Sequence, residues 1–279
     1  MAKTGPSPLP ARFGPRSIEI TAKDRASRRA VIEGLPQHTE VFVADLPDQP
    51  PEVVLEAAAE IRSAGLEPVP HLVARNIASA HAFDALLGEL RRMAQVRSVF
   101  LTGGDRAAPS GPFASALDLL GTGLLQRHGL RRLAFAGYPE GHPHIPAADL
   151  EEALRRKLAS ARAAGFETLL ISQFAFDAAP VVALARRLRS LGLTVPLRVG
   201  TAGPADRHIL SEFARDLGAG RSAERLARPA SDPEGFSIER FTAALAEARA
   251  QEPALGLEGL HLFPFGPTEA SVGWLGQPR

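Results

Sequence analysis

Apolar residues fall along this chain in two alternating patterns. Short continuous runs recur at 17–20, 41–44, 67–72, 98–102, 132–136, 168–172, 195–199 and 259–263. Such runs suit strands buried on both faces. Between them, apolar positions recur at helical spacing, as at Val54, Leu55, Ala58 and Ile61. That spacing predicts helices over 51–64, 78–93, 112–127, 149–164, 178–191, 205–217 and 238–250. Gly65, Gly129, Gly165, Gly192 and Gly218 stand where five of these segments stop, as a left-handed helix end requires. Alternating strands and helices predict a parallel sheet, and eight such units predict an α/β fold of the closed (β/α)8 TIM barrel type in a single domain. The rival, an open doubly wound sheet, lacks support because no G-x-G-x-x-G follows the first strand.

The barrel is expected over 17–279. Residues 1–16 are Pro-rich and polar and read as a flexible lead-in without a signal-peptide core. The polar stretch 219–235 interrupts the last βα unit and is expected to be a mobile loop. A length of 279 residues with 45% apolar residues provides for a large core. The net charge of +1 argues against a nucleic-acid surface. No run approaches a membrane span, so the expectation is a cytoplasmic protein. With no cysteine, disulfides and thiolate metal sites are excluded. A homo-oligomer is compatible with this sequence.

In a parallel barrel the chemistry sits at the C-terminal strand ends. There the chain offers Glu19, Asp45, His71 with Arg75 and Asn76, and the turn Thr102-Gly103-Gly104-Asp105. It continues with Tyr138, Glu140 and His142, then Gln173 with Phe174, Phe176 and Asp177, and finally Phe263 and Phe265. Two readings stand for most of these. Glu19 is either a structural partner of an arginine or an acid whose pKa burial raises, making it a proton donor. The Gly103-Gly104 turn is either ordinary or a close backbone approach to a flat ligand. Arg156 and Lys157 are a solvated helix face or reach a pyrophosphate. Phe174 and Phe176 are core or stack on a ligand. Gln173 suits the donor–acceptor edge of a heterocycle. His142 and His144 lack further ligands at metal spacing, so no metal is expected.

Taken in order, Pro70-His71-Leu72, Leu101-Thr102-Gly103-Gly104-Asp105, Tyr138-Pro139-Glu140-Gly141-His142-Pro143, Lys157 and Ser172-Gln173-Phe174-Ala175-Phe176-Asp177 resemble the methylenetetrahydrofolate reductase family. The resemblance runs from about residue 17 to 203, with a weaker tail at 261–266. It implies a (β/α)8 barrel and a flavoprotein oxidoreductase of one-carbon metabolism and methionine biosynthesis. Such enzymes use FAD to pass a hydride from NAD(P)H to 5,10-methylenetetrahydrofolate, giving 5-methyltetrahydrofolate, or the reverse. By the same resemblance Glu19 is the general acid, and Asp105 is catalytic beside flavin and pterin. His71, Thr102, Gly103, Gly104, Tyr138, His142, Arg156 and Lys157 line the flavin. Gln173, Phe174 and Phe176 meet the folate substrate.

The chain also departs from the family pattern. Glu19 is followed by Ile20-Thr21-Ala22-Lys23 instead of aromatics and prolines. The arginine of the family's Gly-Asp turn is missing, and Ala153 stands where an Asn is usual. The Asn-Arg pair of the C-terminal region is replaced near Phe265-Gly266-Pro267, while Arg75-Asn76 appears after strand 3. These changes motivate two alternatives: direct hydride transfer without flavin, and a non-catalytic folate-binding or complex-forming subunit.

Overall fold

The computed structural model describes residues 14–216, 218–229, 231–233 and 235–275. The lead-in expected at 1–13 lies outside them. Eight parallel strands hydrogen-bond in chain order and close into a barrel: β1 (Arg16–Thr21), β2 (Glu40–Ala44), β3 (Glu67–Val73), β4 (Ser98–Thr102), β5 (Arg132–Gly137), β6 (Glu167–Ser172), β7 (Leu197–Ala202) and β8 (Leu257–Phe263). The (β/α)8 expectation holds, and each apolar run is a strand within about two residues of its expected place.

The helices in chain order are α1 (Arg25–Gly34), α2 (Pro51–Ser63), α3 (Ala80–Ala94), α4 (Ala116–Gly121), α5 (Leu124–Arg127), α6 (Ala147–Ala163), α7 (Ala178–Ser190), α8 (Arg207–Asp216), α9 (Gly220–Ala227), α10 (Ile238–Gln251) and α11 (Thr268–Leu275). The single helix expected over 112–127 is two short ones. Gly123, at φ +71°, separates them in a left-handed conformation that suits glycine. The apolar pattern does not predict α1 or α11. Nor does it predict α9, which lies inside the stretch expected to be a mobile loop. No helix among the described residues is long and apolar enough to cross a membrane.

The contacts divide the chain into two compact units. One comprises residues 17–136 and 153–169, and so holds β1–β5, α1–α5 and most of α6. Its strands pair in register, with Glu19 beside Phe42, Phe42 beside Val69, His71 beside Phe100 and Phe100 beside Ala134. Paired residues of parallel neighbours point to the same face, so these side chains share one face of the sheet. Glu40 and Arg132 form an ion pair within this unit. On α2, Val54, Leu55 and Ile61 are buried, each contributing about 2 kcal/mol of apolar burial. Asp24 caps α1 and Ser79 caps α3 through their side-chain oxygens.

The other unit holds 14–16, 137–152 and 170–275 among the described residues. Here β7 and β8 pair from Leu197 to Ala202 with a bulge at Leu197/Arg198. Asp177 caps α7 and Ser237 caps α10. An apolar cluster of Phe174, Phe176, Ala202, Leu210, Ala214 and Leu226 joins the end of β7 to α8 and α9.

Candidate active site

Within the first unit, the C-terminal ends of β1, β2 and β3 bring an acid, an imidazole and a second acid together. Glu19 Oε2 lies 3.2 Å from His71 Nε2, with the two side chains only 25% and 11% exposed. The contact is close enough for an ion pair, but Nε2 makes no aligned hydrogen bond. Rings hold the imidazole in place: Phe42 lies edge-on at 6.4 Å and Phe100 lies at 4.6 Å. Asp45 follows β2 directly. Its Oδ2 accepts a 3.0 Å hydrogen bond from Asn76 Nδ2, in the 3-10 turn after β3. Asn76 Oδ1 in turn accepts from Arg106 Nε at 3.1 Å, and Arg106 pairs with Asp48. Burial raises the Asp45 carboxyl above its usual pKa, while the Asn76 bond and the nearby His71 and Arg106 oppose that rise.

The turn after β4 is braced by Arg75. Its N donates to Gly103 O at 3.0 Å, its Nη1 to Arg106 O at 2.7 Å and its Nε to Ala114 O at 3.1 Å. Gly104 takes φ +94°, and a Cβ there would strike Val73. Steric packing thus suffices to explain this glycine. Thr102 and Gly103 are half-buried beside it, whereas Asp105 is exposed. It is the next residue, Arg106, that turns in to Asn76 and Asp48.

Lys157 does not stand at the strand ends. It lies on the third turn of α6, with Nζ 5.7 Å from the centre of the Phe135 ring. Phe135 alternates with Ala134, so it lies on the sheet face opposite Phe100, the face that α6 covers. Burial lowers the Lys157 pKa. Arg156 beside it is exposed. The two cations expected at a pyrophosphate therefore point away from each other, one under its helix and the other to solvent. The residues present do not fit a flavin diphosphate through this pair.

In the second unit, Tyr138 and His142 meet edge-on at 5.3 Å, and His142 Nδ1 accepts from His144 N at 3.2 Å. Glu140 reaches the start of α9. It accepts from Arg221 N at 2.8 Å and Ser222 N at 3.2 Å, and also takes the Ser222 hydroxyl hydrogen bond. The Ser222 oxygen accepts from Phe176 N at 2.9 Å. Asp177 accepts from Ala179 N at 3.1 Å and from Arg221 Nε at 3.0 Å, and lies 3.3 Å from Arg225. Burial acts to raise the Asp177 pKa, but these bonds outweigh it and leave the carboxyl below its ordinary range. Gln173 is half-buried after β6, its N bonded to Gly137 O at 2.7 Å. Phe174 and Phe176 are 4% and 2% exposed in the apolar cluster. There they pack with the other apolar side chains of the cluster, and Phe176 also lines a cavity on the α7 side.

Sequence reasoning does not group Asp45, Asn76 and Arg106 as a network. Its members lie about thirty residues apart, on successive strand ends, and no local motif links them. Among the described residues, no group of three or more His, Asp or Glu could hold a metal.

The fold class is thus a (β/α)8 barrel with a half-buried acid–imidazole pair near its strand ends. No protein-family model matches the chain. Among solved structures, the dihydropteroate synthase FolP of Thermus thermophilus is similar, at 17% identity and a TM-score of 0.50, over 95% of this chain and 93% of that one. Dihydropteroate synthase of the same organism in complex with 6HMPPP is similar at 15% identity and a TM-score of 0.50, over 94% and 93%. At these identities the likeness is one of fold.

Proposed function

We propose that the chain is a methylenetetrahydrofolate reductase-like oxidoreductase, with Glu19 as its acid. The observation that carries this reading is the Glu19 carboxyl, largely buried at a strand end and 3.2 Å from His71. The ordered motifs from Pro70 to Asp177 support the substrate class. So does a barrel fold similar to dihydropteroate synthases, which are pteroate enzymes by name. In the reaction, a proton from Glu19 goes to N10 of 5,10-methylenetetrahydrofolate and the N10–CH2 bond breaks. The resulting N5 iminium accepts a hydride at carbon and becomes the N5-methyl group. NAD(P)H supplies the hydride and leaves as NAD(P)+. A carboxyl at this place, in its protonated form, can act as a general acid.

The placement of Lys157 under α6 and of Arg156 in solvent favours direct transfer from the nicotinamide over a flavin relay. An absorbance spectrum of the purified protein, before and after incubation with FAD, separates the two routes. Flavin-free protein that oxidises NADH or NADPH with methylenetetrahydrofolate supports direct transfer; turnover only after FAD uptake rejects it. If Glu19→Gln turns over at the wild-type rate with either cofactor state, the acid assignment fails.

A further inference from the structure

Between α7 and α10 lies a cavity of about 480 Å³, within the size range of small-molecule sites. It shares no residue with the Glu19, His71 and Asp45 cluster. Its floor is aromatic: Phe176 and Phe236 meet edge-on at 4.7 Å, and Phe241 continues the row at 6.2 Å from Phe236. Its rim carries three guanidiniums, Arg186, Arg225 and Arg240, of which Arg186 pairs with Glu252 and Arg225 with Asp177.

Two helices start here, and each cap takes one of the first N–H groups, Asp177 that of Ala179 and Ser237 that of Arg240. The guanidiniums are the charged donors at the rim. Arg186 pairs with Glu252, and the two side chains are 57% and 43% exposed. Arg186 holds Glu252 through both Nε and Nη2, and at this exposed position a ligand carboxylate can take the place of Glu252 on the same fork, one two-pronged contact exchanged for another. Arg240 Nη2 donates to Asp232 O at 3.0 Å and Gly235 O at 2.7 Å, which fixes the wall facing α7. Gly235 is required in that wall, since a Cβ would strike Pro229 O.

We infer that this cavity is a binding site for a small aromatic carboxylate. A flat ring matches the phenylalanine floor by edge and face contacts. A carboxylate matches the planar fork of an arginine. A neutral ring satisfies only the floor, and a bare inorganic anion only the rim.

Titration calorimetry of the full chain at low ionic strength with 2-naphthoate, against 2-naphthamide, tests this. Naphthoate is expected to bind one to one and at least about tenfold more tightly than the amide, the equivalent of one charge-assisted contact. Ala183 on α7 and Ala244 on α10 are exposed residues lining the cavity. Ala183→Trp and Ala244→Phe fill it from opposite walls, and each is expected to abolish binding while circular dichroism stays unchanged. Arg186→Ala is expected to weaken naphthoate and leave the amide as it was. The proposal is overturned by any of three results: no heat at millimolar naphthoate, equal binding of the amide, or unchanged binding in whichever filled variant folds.

Discussion

Two groups of carboxylates occupy strand-end loops in this molecule, and they are held in opposite ways. Glu19, near the end of β1, and Asp45, directly after β2, sit against an imidazole and an amide. Glu19 has His71 Nε2 at 3.2 Å without an aligned bond to it, and Asp45 accepts from Asn76 and has a pKa raised by burial. Glu140 and Asp177, after β5 and β6, are gripped by backbone N–H groups, a serine hydroxyl and two arginines. A carboxyl whose burial outweighs its hydrogen bonds favours its protonated form and can give a proton away. A carboxylate whose donors outweigh its burial is a fixed anion. The same residue type is thereby a candidate acid in one loop and a structural latch in the next. The more recognisable motif, Tyr138 to Pro143, carries the latch.

The sharpest way to break this contrast is to remove the acid. Glu19→Gln keeps the shape and loses the proton. Loss of a general acid lowers turnover by roughly 10²–10⁴-fold. Urea unfolding of this variant should stay near wild type, since the amide keeps the volume of the side chain and an oxygen that accepts. A variant that unfolds early and keeps its rate would place Glu19 with the latches instead.

The latches should show the reverse: large stability effects and no proton-transfer signature. Asp177→Ala removes the α7 cap and leaves Arg221 and Arg225 without this partner. Asp177 is 5% exposed, and the loss of cap and pair together should cost roughly 2–3 kcal/mol in urea. Its pKa is lowered in the fold, so its stabilisation is present above the unfolded value of about 4 and is lost as pH falls through the folded value. The wild-type urea midpoint should therefore drop below about pH 4, and Asp177→Asn should flatten that drop. Glu140→Gln keeps one oxygen to accept from Arg221 N and Ser222 N, but places an amide NH2 where the Ser222 hydroxyl donates, so it loses that bond with the charge and roughly 1–3 kcal/mol is expected. A turnover loss in Glu140→Gln larger than in Glu19→Gln would reverse the roles drawn for the two groups.

How much of this the sequence carried depends on how local each signal is. The eight strands were legible because most are short apolar runs set between segments of helical spacing. α1 escaped because Arg25–Gly34 is dominated by arginine and polar residues. Its buried set, Ser27, Arg28, Ala30 and Val31, does not read as an apolar stripe. α9 escaped because its anchors are external: Glu140 at its first turn and Asp177 against its arginines lie more than forty residues upstream. Glu19 was legible as a charge inside an apolar strand. Its partner His71 was legible only as a motif residue, because the contact depends on strand order and register. Asp45 was visible as a strand-end acid, but its bond to Asn76 crosses from one strand end to the next. The roles expected for Phe174, Phe176 and Lys157 came from motif position, whereas their packing partners, the apolar cluster for the two rings and Phe135 for the lysine, come from distant strands and helices that no motif shows.

The smallest expected effect probes Asp45, the carboxyl of the first group that burial lifts. Its folded pKa is raised, so the stability linked to its proton is complete below the unfolded value of about 4 and is lost as pH rises through the folded value. At neutral pH the ionised form is a burden on the fold, although the Asn76 bond and the nearby His71 and Arg106 reduce it. Asp45→Asn removes that burden while its amide oxygen still accepts from Asn76 Nδ2. The variant should therefore match wild type near pH 4 and show a slightly higher urea midpoint at pH 7, in contrast to the loss expected for Asp177→Asn. Measuring both variants across that pH range compares the two groups directly. If Asp45→Asn is destabilised at pH 7 as Asp177→Asn is, then Asp45 is also a latch, and the contrast between the two loops narrows to Glu19 alone.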